Sequence, residues 1–128
     1  MDKIRELFVR FIYLDNLVGI DKETFLENFG EEVEGEGIKK LEKLIDFYIR
    51  NKEEVLKELS YILVGWKVER LLELDRSAIL GGMCEMLMGE SPDDIIPAYG
   101  TFARVFSSDK SPSFVMGVLK SFKEVIKK

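Results

Sequence analysis

The stretch "LDRSAILGGMCEMLMG", residues 74–89, is apolar over most of its length and lacks the alternation of polar and apolar residues typical of a strand. It predicts a helix that Gly89 ends. Gly81 and Gly82 in its middle should cost roughly 1.5–2 kcal/mol relative to alanines. The presence of two such residues within a helix indicates close packing against another helix, most simply against the backbone of that helix, and not a ligand site. The stretch therefore predicts the interior helix of a helical protein.

Helix patterns of the same kind cover the rest of the chain, and no segment shows sustained alternation with β-branched residues. In the first half of the chain we expect a helix from Ile4 ended by Gly19, a short helix capped by Asp21 and running to Phe29, and a turn at 31–37. A long helix then runs from Ile38 to Gly65, restarted by a capping box of Asn51 and Glu54. In the second half, besides the helix at 74–89, we expect a short helix from Trp66 to Leu72, a helix with Pro97 in its first turn that runs to Phe106, and a last helix opened by Ser111 and Pro112. We therefore predict an all-α protein, a compact single domain over residues 1–128 with six or seven helices.

The apolar positions of these helices predict one core, which a chain of 128 residues is long enough to build. The expected core residues are Leu7, Phe11, Leu44, Tyr48, Leu59, Trp66, Ile79, Met83, Phe102, Phe106, Val115 and Leu119.

Composition limits the possible classes of protein and of partner. The formal net charge is −5, but residues 15–36 hold eight acidic residues against Lys22, a local charge of −7, so the remainder sums to +2. Because the acidity is confined to one segment, an anionic partner is not excluded. The first twenty residues contain no apolar run long enough for a signal peptide or a membrane span. With a single cysteine and no possible internal disulfide, we expect a cytoplasmic protein with no membrane partner.

Residues that carry out chemistry are scarce. There is no histidine, and Cys84 alone makes neither a zinc site nor a Cys–His nucleophile. No phosphate-binding glycine motif occurs, and most carboxylates are expected to solvate helix faces. We therefore predict that the protein is not an enzyme, that it uses no cofactor or metal, and that its function lies in binding.

Several segments in a fixed order resemble the NusB family of transcription antitermination factors. They are "RELFVRFIY" at 5–13, Trp66, Arg70, "LDRSAIL" at 74–80, Glu85, Pro92, Ala103 with Phe106, and "FVMGVL" at 114–119. The resemblance covers about residues 3–122 and implies an all-α fold, in agreement with the helix patterns.

The resemblance implies that the protein binds boxA-type RNA together with the ribosomal protein NusE. It places the RNA site where the start of the first helix meets the loop before the last helix. Lys3 and Arg5 would contact phosphates, Lys110 would add charge, and Phe114 would stack on a base. Gly117, one helical turn after Phe114, would then allow close packing. An ordinary packing role for Phe114 in the core stays equally open.

The resemblance also implies a surface for NusE, with Glu69 and Asp75 forming its charged rim. Simple solvation of both residues, with Asp75 capping the helix that follows, is the alternative. Because few basic residues are present at the amino end, we expect weak binding of RNA by the protein alone. A protein–protein adaptor that has lost RNA binding is the second hypothesis, and the helical RNA-binding module of an RNA methyltransferase is a more distant third.

Overall fold

The computed structural model describes residues 2–65 and 67–127, and the part described contains six α-helices and no strand. The α-helices are α1 (Lys3–Leu17), α2 (Lys22–Phe29), α3 (Glu36–Ile62), α4 (Glu73–Leu87), α5 (Pro92–Phe106) and α6 (Ser111–Ile126), with short 3₁₀ turns at Gly30–Glu32 and Val68–Arg70. The predicted all-α fold is confirmed. None of the helices formed by these residues combines the length and apolar character needed to cross a bilayer.

Helix α4 lies at the centre of the bundle, since residues 77–86 are all buried and α1, α3, α5 and α6 all pack against it. A Cβ atom on Gly81 would lie 2.9 Å from the Tyr99 ring of α5, and one on Gly82 would lie 2.8 Å from the Leu119 methyl groups of α6. The two glycines therefore lie against other helices as predicted, although the close neighbours are side chains and not a helix backbone.

The predicted core is mostly confirmed. Ten of the twelve expected residues are at most 4 % exposed, namely Leu7, Phe11, Leu44, Tyr48, Leu59, Ile79, Met83, Phe102, Val115 and Leu119. The prediction is wrong for Phe106, which is 42 % exposed in the last turn of α5. Trp66 lies outside the described residues.

Two helix boundaries differ from the prediction. Helix α3 is continuous through Asn51, whose side-chain amide donates a 2.8 Å hydrogen bond to the Phe47 carbonyl within the helix, so the predicted capping box is wrong. Helix α5 begins at Pro92, five residues earlier than the predicted start, so Pro97 lies inside it. Pro92 occupies the first-turn position that was predicted for Pro97, where the missing N–H of proline is not needed.

Smaller expectations at other helix ends have mixed outcomes. Asp21 caps α2 as predicted, accepting a 2.7 Å hydrogen bond from the Thr24 amide. Between Trp66 and Leu72 the described residues form only the 3₁₀ turn. Ser111 opens α6 as its first residue, but its hydroxyl accepts from the Ser108 amide and caps no helical N–H. Gly117 has no heavy atom near its would-be Cβ, so the predicted close packing there is wrong.

Candidate functional site

Lys3 lies at the start of α1, where the predicted RNA site begins. Asp2 caps this helix by accepting a 2.8 Å hydrogen bond from the Ile4 amide. The Lys3 amine lies 2.7 Å from a Glu32 oxygen and 3.1 Å from a Glu6 oxygen, and its side chain is 43 % exposed. The hydrogen bond to Glu32 and then that to Glu6 raise the pKa of Lys3. Lys3 is therefore accessible and charged, but a phosphate would have to compete with two carboxylates for it.

Arg5 lies on the opposite, inner side of the same turn. Its Nε and Nη2 atoms donate to the two Glu85 oxygens at 2.8 and 3.1 Å, and its side chain is only 14 % exposed. The Glu85 carboxylate also accepts a 2.6 Å hydrogen bond from the Tyr99 hydroxyl. Burial, followed by the charge of Glu85, raises the pKa of Tyr99 well above its ordinary value, so the hydroxyl keeps its proton. The guanidinium thus belongs to a buried polar cluster that joins α1, α4 and α5.

Lys110 and Phe114 lie together on a groove of about 270 Å³ between the start of α4 and the start of α6, which we call the α4–α6 groove. Its lining residues are Arg70, Leu71, Leu72, Asp75, Ser108, Lys110, Ser111 and Phe114. Lys110 is exposed, whereas Phe114 is partly buried and packs against the core while it lines the groove. The position of Phe114 is therefore compatible with both roles considered for it, stacking and packing.

The loop that enters α6 is held in place by hydroxyl groups. The Ser107 hydroxyl donates to an Asp75 oxygen at 2.6 Å, and the Ser111 hydroxyl donates to the Ser107 oxygen at 3.0 Å. Asp75 is only 5 % exposed. The expectation of a rim charge is wrong for Asp75, because its carboxylate is buried against Ser107. The capping role is also wrong for Asp75, because Leu72 occupies the cap position of α4. Glu69 is exposed in the 3₁₀ turn, as a rim charge would be.

A second groove, which the sequence did not reveal, runs between α1 and α5. This α1–α5 groove has a volume of about 300 Å³ and is lined by Glu6, Arg10, Tyr13, Leu74, Phe102 and Phe106. Phe106 is exposed because it lines this groove. The only signal in the sequence was the spacing of Glu6, Arg10 and Tyr13, four and three positions apart, which places the three polar side chains on one face of a helix. Arg10 is partly engaged there, 5.2 Å above the Phe29 ring and 3.3 Å from a Glu32 oxygen.

The predicted RNA residues form two groups, and the structure does not bring them into one cluster. Arg5 contacts Glu85, whereas the α4–α6 groove contains Asp75, ten residues and about 15 Å earlier along α4. The α1–α5 groove reaches the first turn of α4 at Leu74, and the α4–α6 groove reaches the same turn at Asp75. The two groups of predicted residues are thus separate, and the first turn of α4 is the element that both grooves reach.

Comparison with known proteins identifies the family. The NusB family model matches residues 2–124, nearly the whole chain. The chain belongs to the NusB family. Among its NusB relatives, the transcription antitermination protein NusB of Bacillus mycoides (strain KBAB4) is 31% identical over 125 residues, which is 95% of this chain and 95% of that protein.

Solved NusB structures share the fold. The crystal structure of the antitermination factors NusB and NusE in complex with dsRNA includes a chain that matches with a TM-score of 0.85 and 23% identity, over 95% of this chain and 94% of that one. NusB of T. maritima matches with a TM-score of 0.86 and 19% identity, over 98% of this chain and 96% of that one. The helical arrangement described above is thus the NusB arrangement.

Proposed function

We propose that this protein is a transcription antitermination factor that binds boxA-type RNA and acts with the ribosomal protein NusE in rRNA transcription. The observation that carries the proposal is the match to a transcription antitermination protein NusB over 95% of both chains. No catalytic step is part of this function.

The proposed RNA surface runs from Lys3 along the α1–α5 groove to Lys110 and Phe114. Phe114 offers a partly exposed aromatic ring, the kind of group on which an unpaired base stacks, and Lys110 supplies a cation beside it. Arg10 and Tyr13 line the α1–α5 groove. Single-stranded RNA in an extended conformation suits such a surface, since its phosphates and bases can contact separate positions.

Binding of RNA by the protein alone should be weak. The sequence-independent part of the affinity grows with the number of phosphates that cations neutralise. Lys3 and Arg10 are each paired with Glu32, and Arg5 is paired with Glu85. A basic partner that contributes further cations would therefore raise the affinity, and NusE fits that requirement. We place its contact at the exposed Glu69, beside the α4–α6 groove; Asp75 would contribute through the loop that it anchors.

The alternative function is a protein–protein adaptor on the same scaffold without RNA binding. The carboxylates that engage Lys3, Arg5 and Arg10 favour this alternative, because they reduce the positive charge available to phosphates. Lys110 in the α4–α6 groove favours RNA binding. The two functions are therefore separated by whether the α4–α6 groove contacts RNA.

The experiment is a titration of labelled boxA RNA at several salt concentrations. Lys110→Ala should reduce the slope of log affinity against log salt by about 0.7, the loss of one phosphate contact on a single strand. Lys120→Ala is the matched control, because Lys120 is an exposed lysine of α6, ten residues and about 15 Å beyond Lys110, and it should leave the slope unchanged. Equal slopes for wild type and Lys110→Ala would contradict the proposed contact.

The stacking role of Phe114 needs a second pair of variants. Phe114→Ala should weaken RNA binding by about 1–3 kcal/mol with an unchanged salt slope. Phe114→Leu keeps an apolar side chain for packing but removes the aromatic face, so it should lose most of the same affinity. Full RNA affinity in Phe114→Leu would show that Phe114 serves packing alone.

A further inference from the structure

The Glu85 carboxylate is fully buried and makes three hydrogen bonds within the bundle. Two come from Arg5, at 2.8 and 3.1 Å, and the third comes from the Tyr99 hydroxyl at 2.6 Å. A buried carboxylate is tolerated only when it is paired and hydrogen-bonded, and a bidentate guanidinium is the pairing with the most fixed geometry. The cluster therefore holds the first turn of α1 at a defined place against α4 and α5.

Gly81 belongs to the same arrangement. It lies one helical turn before Glu85 on α4, and a Cβ atom there would come within 2.9 Å of the Tyr99 ring and 3.3 Å of its hydroxyl oxygen. Only glycine leaves room for the ring to reach Glu85. The glycine in the middle of α4, the tyrosine of α5 and the arginine of α1 thus form one construction, although Arg5 and Glu85 are 80 residues apart.

We infer that Arg5 is a positioning residue of the RNA surface and not a phosphate ligand, an inference that rests on the proposed RNA-binding function. Its Nε and Nη2 atoms are occupied by Glu85, and Nη1 points to Asp2 at 3.8 Å. Glu85 cancels its charge at close range. What Arg5 supplies is a fixed start for α1, so that the exposed Lys3, two residues earlier, is held in place before RNA arrives.

Fixing Lys3 in advance raises affinity because less conformational freedom is lost on binding. Helix ends otherwise fray, since their first amides have no partner within the helix. Asp2 caps α1 at the surface, and the Glu85 cluster anchors it from the inside. Weakening the anchor should therefore reduce RNA affinity without removing any phosphate contact.

The test compares salt slopes for Arg5→Gln, Glu85→Gln and the milder Tyr99→Phe. A positioning residue predicts a several-fold loss of affinity for boxA RNA in Arg5→Gln with an unchanged slope, and a phosphate ligand predicts a slope lower by about 0.7. Glu85→Gln should reproduce the loss although Glu85 is out of reach of RNA, and the double variant should lose no more than either single one. A reduced slope in Arg5→Gln, or additive losses, would overturn the inference.

Amide hydrogen exchange in the first turns of α1 provides a readout that needs no RNA. Exchange should be faster in Glu85→Gln and in Tyr99→Phe than in wild type, with the end of α3 unchanged as the internal control. Unchanged exchange at the start of α1 in both variants would overturn the anchoring role. If wild type bound no RNA, the proposed function would fail, while the exchange data would still decide whether Arg5 and Glu85 fix the helix start.

Discussion

Gly81→Ala is the substitution whose effect depends most directly on the packing of α4. The added Cβ would lie 2.9 Å from a ring carbon of Tyr99, closer than real Cβ contacts. The ring is fully buried, and its hydroxyl is bonded to Glu85, so it has little freedom to retreat. Either the ring must shift and strain that hydrogen bond, or α5 must move away from α4.

Two opposing terms set the size of the effect. Alanine in place of glycine inside a helix gains about 1 kcal/mol. Overpacking a well-filled core costs about 1–3 kcal/mol. The net expectation for Gly81→Ala is therefore a loss of about 0–2 kcal/mol in the free energy of unfolding. Gly117→Ala is the matched control, because Gly117 is exposed inside α6 with no heavy atom within 4 Å of its would-be Cβ. It should gain up to about 1 kcal/mol.

The assay is urea denaturation of wild type and both variants, followed by circular dichroism. The difference between Gly81→Ala and Gly117→Ala isolates the overpacking cost, so a gap of about 1–3 kcal/mol is expected. Gly100→Ala should fall between them, because its would-be Cβ meets the flexible Met116 side chain. Gly81→Ala as stable as Gly117→Ala would refute the close approach of Tyr99 to α4.

Three further predictions concern α3, the buried thiol and the proposed NusE surface. In urea denaturation, Asn51→Ala should raise the free energy of unfolding by a few tenths of a kcal/mol, because Asn51 lies inside a continuous helix. If Asn51 capped a helix, the same substitution would lower the free energy of unfolding by about 1 kcal/mol. Burial raises the pKa of the Cys84 thiol to about 12, so native protein at pH 8 should not react with a thiol reagent and urea-unfolded protein should; prompt reaction of the native state would contradict this. Glu69→Lys should slow association with NusE, most at low salt, with unchanged helical content, and an unaltered association rate would argue against the proposed rim.

The features that the sequence predicted well are those that depend on neighbouring residues. The Asp21 cap needs only the Thr24 amide three residues later, and the end of α4 needs only Gly89, which adopts a positive φ of 95°. The glycines in α4 were informative for another reason. Their cost in helix stability is large enough that close packing was the simplest explanation, and the contacts with Tyr99 and Leu119 confirm it.

The features that the sequence did not predict depend on distant parts of the chain. Asn51 carries a local capping pattern, but α3 packs against the core on both sides of it, from Leu41 to Leu59, and that packing outweighs the local preference. Phe106 fits the apolar face of α5 yet lies beyond the edge of the core. The roles of Arg5 and Asp75 were unpredictable for the same reason, because their partners Glu85 and Ser107 are 80 and 32 residues away.

The proposed function is tested most directly by one binding measurement with three samples. Labelled boxA RNA is titrated with this protein, with NusE, and with an equimolar mixture of the two at one salt concentration. The proposed function predicts weak binding by this protein alone and clearly tighter binding by the mixture than by NusE alone, because the two proteins together would supply the phosphate contacts and the stacking surface. A mixture that binds boxA RNA no better than NusE alone would contradict the proposed RNA-binding function and favour the adaptor function.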